Sequence, residues 1–260
     1  GLMAPGGIAV LPSGSGESVF IADVLSLKEI DGATGDITSV APGIIGFSAV
    51  SSPFTAAADG DNLVLSSWFA NVVQVWNPRS NESLEVFHIE AIPLNAIRFE
   101  GDLVVAELQT ASVVRISGQN EADRVTLASG LGVPAGLAAS NGNLWVADYG
   151  AGTILQIVAD GEVMSEPRLV ATELRGPEGL AVSEDGVLYV VEAGAGRLSR
   201  VDATTGEVSI VADSLALGAA GTPGTPPTWI FNGVAIGPTG TLYVTGDVEN
   251  EIYRIEVDVR

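Results

Sequence analysis

Short runs in which apolar residues alternate with polar ones fill this chain, each four to seven residues long and each ended by a turn signal. The segment from Gly176 to Glu192 is the clearest, and it returns in weaker form five more times. Its opening, a small residue and glycine before two or three apolar residues, recurs from Gly7, Thr55, Asn95, Gly136, Gly179 and Gly233, at intervals of 48, 40, 41, 43 and 54 residues. A unit of about 40 to 50 residues built of alternating strands predicts a β-propeller, in which no unit buries its faces until its neighbours pack on it. The fold expected is therefore all-β: a six-bladed propeller of about four antiparallel strands per blade, forming one domain over 1–260. Its repeats run approximately 1–52, 53–92, 93–132, 133–176, 177–229 and 230–260. No segment has helical periodicity.

The fifth repeat sets the pattern within a blade. Leu180 to Ser183 reads as the inner strand, Val187 to Glu192 as the second, Arg197 to Asp202 as the third and Glu207 to Ala212 as the outer strand. Glu184-Asp185-Gly186 and Thr204-Thr205-Gly206 supply the turns. The sixth repeat stops after a third strand, Glu251 to Val257, while Gly1 to Met3 resembles the tail of an outer strand. The last blade is expected either to be completed by residues upstream or to have three strands and a partly open edge.

Composition narrows the partners. Hydrophobic residues make up 47% of the chain and charged ones 17%, which favours a large dry core over disorder. Eleven basic residues face 32 acidic ones, and the net charge of -21 repels phosphate backbones and anionic membranes. Nucleic acid is not an expected partner, whereas metal cations and cationic ligands are compatible. No apolar stretch is long enough for a membrane helix, so membrane insertion is not expected. Without cysteine there is no disulfide, thiolate ligand or thiol nucleophile. The one histidine, His88, falls in an outer strand far from the axis, which removes paired-histidine chemistry and any Ser-His-Asp triad near the channel.

In a propeller blade the end of the second strand and the start of the first share one face around the axis. The second-strand ends are Asp23, Ser67, Glu107, Asp148, Glu192 and Gly246, the last followed by Asp247; the residues leading into the first strands are Gly6, Phe54, Asn95, Ala135, Glu178 and Asn232. Clustered carboxylate and amide oxygens of this kind suit a hard cation, Ca²⁺ or Mg²⁺, and Glu178, Asn95, Asn232, Asp148 and Glu192 are the candidate ligands. The competing reading is structural: an acid that ends an inner strand accepts backbone N–H bonds from the next turn. The long intervals place extra residues at 43–52 and 214–229 on this face, the second rich in Gly, Ala and Pro and able to act as a lid. Phe54, Trp68, Phe69, Glu107, Tyr149 and Trp229 are the candidate pocket residues, with Phe47 and Phe231 nearby, for a small-molecule ligand; packing between blades is the alternative.

The segments Gly176 to Glu192 and Val133 to Asp148 resemble NHL-type and senescence-marker-protein/gluconolactonase-type six-bladed propellers. Gluconolactonase-type members hold a divalent cation on the axis between a Glu of an early blade, Asn residues of middle blades and a late Asp before Gly that doubles as general base. By position Glu178 resembles that late acid and catalytic base, Asn95 a middle Asn, and Asn232 an Asn-Gly pair one blade late. Gly6 and Ala135 stand where the early Glu and another Asn belong. The resemblance implies a metal-dependent hydrolase of a lactone or small ester, with a non-catalytic propeller binding a small ligand or protein partner as the alternative. Relatives of this kind are often exported, which points to the periplasm or secretion.

Overall fold

The computed structural model describes residues 1–14, 16–24, 26–41, 50–118, 123–221, 228 and 230–257. Among the described residues, twenty-three strands form six antiparallel sheets. The first blade holds β1 (Pro5–Ser13), β2 (Gly16–Asp23), β3 (Ser26–Asp31) and β4 (Ile37–Ala41); the second β5 (Thr55–Asp59), β6 (Asn62–Ser67), β7 (Val72–Asn77) and β8 (Glu82–His88). The third holds β9 (Pro93–Phe99), β10 (Asp102–Glu107), β11 (Ser112–Ile116) and β12 (Arg124–Ser129); the fourth β13 (Pro134–Ser140), β14 (Asn143–Asp148), β15 (Thr153–Ala159) and β16 (Glu162–Ala171). The fifth holds β17 (Pro177–Val182), β18 (Val187–Glu192), β19 (Arg197–Asp202) and β20 (Val208–Ala212). The sixth has three described strands, β21 (Val234–Ile236), β22 (Leu242–Gly246) and β23 (Glu251–Ile255), and Gly1 and Leu2 border an apolar groove beside β23.

Turn chemistry fixes the blades locally. Asp202 Oδ1 accepts the Thr204 and Thr205 amides at 2.8 Å, and Gly206 closes the turn at a φ of +76°, which glycine adopts without strain. Asp31 and Asn77 make the same turn in the first two blades.

Apolar clusters fill the gaps between successive blades, and the ring closes through Ile8, Val10, Val19 and Ile21 of the first blade against Tyr243 of the sixth. Inner strands approach so closely that a Cβ on Gly136 would lie 2.2 Å from the Glu178 carbonyl, and one on Gly179 2.6 Å from the Asn232 carbonyl. The glycine of the repeated opening is thus a packing requirement of the axis.

Candidate functional site

Each second strand ends where the alternation places it, but the acids there are taken up by backbone amides or by neighbouring side chains. Asp148 Oδ1 accepts the amides of Val133 (2.8 Å), Gly150 (3.0 Å) and Ala151 (3.1 Å), and its Oδ2 that of Gly132 (2.7 Å). Asp23 accepts the Met3 and Ala4 amides, and Asp247 those of Gly218 and Ala219. Glu192 accepts from Arg197, from the Ser199 hydroxyl and from the Arg175 amide. Burial works against its charge, but these donors outweigh it and hold the Glu192 carboxyl below its ordinary range. Glu107 accepts from Thr110 and pairs with Arg124. In the first, third, fourth and fifth blades the acid also sits opposite a proline, as Pro5–Asp23, Pro93–Glu107, Pro134–Asp148 and Pro177–Glu192. Having no N–H, proline cannot return a ladder bond there, and the acid collects its donors from residues around the turn.

The residues leading into the first strands behave differently. They stitch blade to blade around the axis: the Gly7 amide donates to the Phe54 carbonyl (2.8 Å), Asn95 Nδ2 to the Ala135 carbonyl (3.0 Å), and the Asn232 amide to Glu178 Oε2 (2.6 Å). They enclose an axial cavity of about 180 Å³ with Asn95, Glu178, Asn232 and Thr55 among its polar lining and Ile8, Ile97, Leu137, Leu180 and Val234 among its apolar lining. Asp148, Glu192 and Glu107 do not line it.

Two side-chain oxygens on this wall are unspent. Glu178 is fully buried, and its Oε1 has no hydrogen-bond partner among the described residues. Burial drives its carboxyl well above the ordinary range; the Asn232 amide opposes this, the nearby Asp247 charge adds to it, and the Thr228 hydroxyl opposes it. Asn95, with its Nδ2 committed to Ala135, is left with Oδ1. Asn232 is more fully used: Oδ1 accepts the Gly218 amide (3.1 Å) and Nδ2 donates to the Thr245 carbonyl (3.1 Å).

A Ca²⁺ ion takes about six to eight oxygen ligands. Among the described residues no three His, Cys, Asp or Glu side chains are grouped to hold a metal. Of the five candidate ligands, Asp148 and Glu192 are engaged away from the cavity and Asn232 is bonded at both ends of its amide. The remaining pair, one carboxyl oxygen and one amide oxygen, does not fit a divalent cation.

The aromatic side chains gather at the same end of the axis. Phe231, which lines the cavity, meets Tyr149 edge to face at 6.1 Å; Phe54 lies tilted against Trp68 at 4.7 Å, and Trp68 meets Phe69 at 6.1 Å. Phe231, Leu94 and Ala135 form an apolar cluster joined by Trp68, Ile92, Leu108, Val133 and Tyr149. These rings therefore pack on one another, and of them Phe231 lines the axial cavity while Phe69 stays exposed. Burial, then the Glu178 charge, raises the Tyr149 hydroxyl above its ordinary value, which places that phenol within electrostatic reach of the acid. Trp229 and Phe47 lie outside the described residues. His88 is exposed at the end of β8, remote from the cavity lining. Thr228, beside Glu178, lies in the 214–229 segment that the sequence placed on this face but was not singled out there; it pairs with Ala220 in an isolated antiparallel bridge.

No protein-family model matches the sequence, and no curated protein is detectably similar to it. Solved structures share its shape. A gluconolactonase from Xanthomonas campestris is 14% identical with a TM-score of 0.68, over 95% of this chain and 84% of that one. Regucalcin from Agrobacterium tumefaciens, a calcium-binding protein, is 15% identical with a TM-score of 0.64, over 94% and 82%. Virginiamycin B lyase from Staphylococcus aureus is 15% identical with a TM-score of 0.62, over 99% and 86%. At such identities the likeness is one of fold, and the chain is a six-bladed β-propeller of the architecture seen in gluconolactonase and regucalcin.

Proposed function

We propose that this propeller binds a small molecule in its axial cavity, with Glu178 as the polar anchor and the aromatic cluster of Phe231, Tyr149 and Trp68 bordering the approach. The observation that carries this reading is the unpartnered Oε1 of Glu178, a fully buried residue of the lining of a cavity that a small ligand can fill. A buried polar atom without a partner costs about 1–3 kcal/mol, so a ligand that satisfies it recovers that cost on binding. The strand-end acids Asp148 and Glu192 serve as clasps that hold the chain entering their own blades, through the amides of Gly132 and Val133 and of Arg175. A thermal-shift screen of fragments of about ten non-hydrogen atoms or fewer, run in parallel on the wild type and Glu178→Gln, tests this. Hits whose stabilisation disappears in the variant support it; hits indifferent to the variant place binding elsewhere.

A second reading is hydrolysis of a lactone or small ester, favoured by Glu178 standing before Gly179 as the late acid does in gluconolactonase-type propellers, and by the shared fold. In it the Glu178 carboxyl exchanges a proton with water or the leaving oxygen at the cavity wall. The oxygens present do not fit the divalent cation this chemistry uses in those relatives, so binding without turnover is the better-supported account. Turnover of a lactone panel by the wild type, abolished in Glu178→Gln, would reverse that order.

A further inference from the structure

We propose that the ligand of the axial cavity carries a primary ammonium group on a compact apolar body, with Glu178 Oε1 and Asn95 Oδ1 as its acceptors. This rests on the small-molecule reading above and adds the chemical class. Among the described residues of the cavity lining, Glu178 Oε1 and Asn95 Oδ1 have no hydrogen-bond partner, and in each case the other atom of the same group is tied to a neighbouring blade: Glu178 Oε2 to the Asn232 amide, Asn95 Nδ2 to the Ala135 carbonyl. The Thr55 hydroxyl is paired with Ser66 and offers no free donor. The Thr228 hydroxyl beside Glu178 donates to the Ile230 carbonyl, and once Glu178 is ionised the wall asks for a donor; the proton that the buried carboxyl otherwise keeps leaves as the ammonium binds.

An ammonium brings three N–H groups and needs only two or three acceptors, whereas Ca²⁺ needs about six to eight oxygens, so the set that fails the metal suits the amine. Charge agrees with this. No Lys or Arg is among the described residues lining the cavity, Asp247 and the Tyr149 phenol are the titratable groups close to Glu178, and the chain carries a net charge of -21. That field concentrates cations at the axis and repels anions. A bound ammonium also supplies the positive partner that a buried carboxylate otherwise lacks. The remaining wall, Ile8, Ala57, Ile97, Leu137, Leu180 and Val234, is apolar, and the volume of about 180 Å³ sets the size of the body. Cavities of about 150 Å³ admit benzene.

Calorimetric titration of the intact chain at neutral pH with benzylammonium, benzyl alcohol and benzoate tests the inference. Benzylammonium is expected to bind one to one, benzyl alcohol at least about tenfold more weakly and benzoate not at all, because only the first satisfies two acceptors and neutralises the acid. Glu178→Gln should weaken benzylammonium by at least about tenfold, and Asn95→Leu by about three- to tenfold, with both variants checked for native melting. Asn95→Leu keeps the test open where Glu178→Gln fails to fold. Equal or tighter binding of benzyl alcohol or benzoate, indifference of benzylammonium to the substitutions, or no benzylammonium binding overturns the ammonium assignment. Benzyl alcohol binding that depends on Glu178, with benzylammonium silent, overturns it while leaving the axial site standing; silence of all three together with the fragment screen removes both.

Discussion

The backbone amide of Asn232 donates to Glu178 Oε2 at 2.6 Å across the junction of the fifth and sixth blades, and this bond leaves the second oxygen, Oε1, buried without a partner. One atom of the carboxyl does the work of the fold and the other is held in reserve. The same division appears at Asn95, which gives its Nδ2 to the Ala135 carbonyl and keeps Oδ1.

The raised pKa of Glu178 makes the stability of the unliganded protein depend on pH. Burial is the main cause, and a carboxyl whose folded pKa lies above its unfolded value contributes stability that is full below the unfolded range, about 4.3, and is lost as pH rises through the folded value. Glu178→Gln removes that titration. The melting temperature of the variant is expected to gain on the wild type as pH rises from about 4 to about 9, read by calorimetry, with the two curves parallel below about pH 4. Parallel curves throughout would show that Glu178 is ionised at little cost.

The clasps predict large losses of stability without loss of ligand. Asp148→Ala strips the acceptor from four amides, those of Gly132, Val133, Gly150 and Ala151, and is expected to cost about 3–5 kcal/mol in denaturant unfolding. Glu192→Gln is expected to cost about 2 kcal/mol, discounted because Arg197 is 27% exposed. Its pKa is lowered, so that contribution is present above the unfolded range and lost as pH falls through the folded value. Axial ligand affinity in the folded variants should stay within about twofold of wild type.

Close approach of inner strands gives Gly136 the shortest such contact among the described glycines. Its added Cβ would stand 2.2 Å from the Glu178 carbonyl, a backbone atom that cannot swing aside, and Gly136→Ala is expected to cost about 3 kcal/mol or more by chemical denaturation. Gly186→Ala is the control: nothing crowds that position, and its φ of +83° alone sets a cost of about 1 kcal/mol.

Much of this architecture is written in the alternation. Strands β18 and β19 begin and end where the pattern of the fifth repeat puts them, and Asp23, Ser67, Glu107, Asp148, Glu192 and Gly246 all end their second strands. The inner strand of that blade starts at Pro177, three residues before the apolar run, because Pro177 pairs with Glu192 and a bulge separates that pair from Leu180. A bulge leaves no trace in hydrophobic periodicity. The fate of the acids stood open between a metal and the turn amides, and the structure takes the second course at Asp23 and Asp148. Whether Asp148 turns to the axis or to the amides of Gly132 and Val133 depends on where the preceding outer strand delivers those residues, a tertiary fact that spacing does not encode. Glu178 was legible as an exception, an acid at a position occupied elsewhere by Gly6, Phe54, Asn95, Ala135 and Asn232.

Crystals soaked with small amine fragments at neutral pH give the most direct test of an axial ligand site. The account predicts a fragment in the cavity with its donor within about 2.7–2.9 Å of Glu178 Oε1. Fragments bound only on the outer rim, with water alone bridging Glu178 and Asn95, would contradict it.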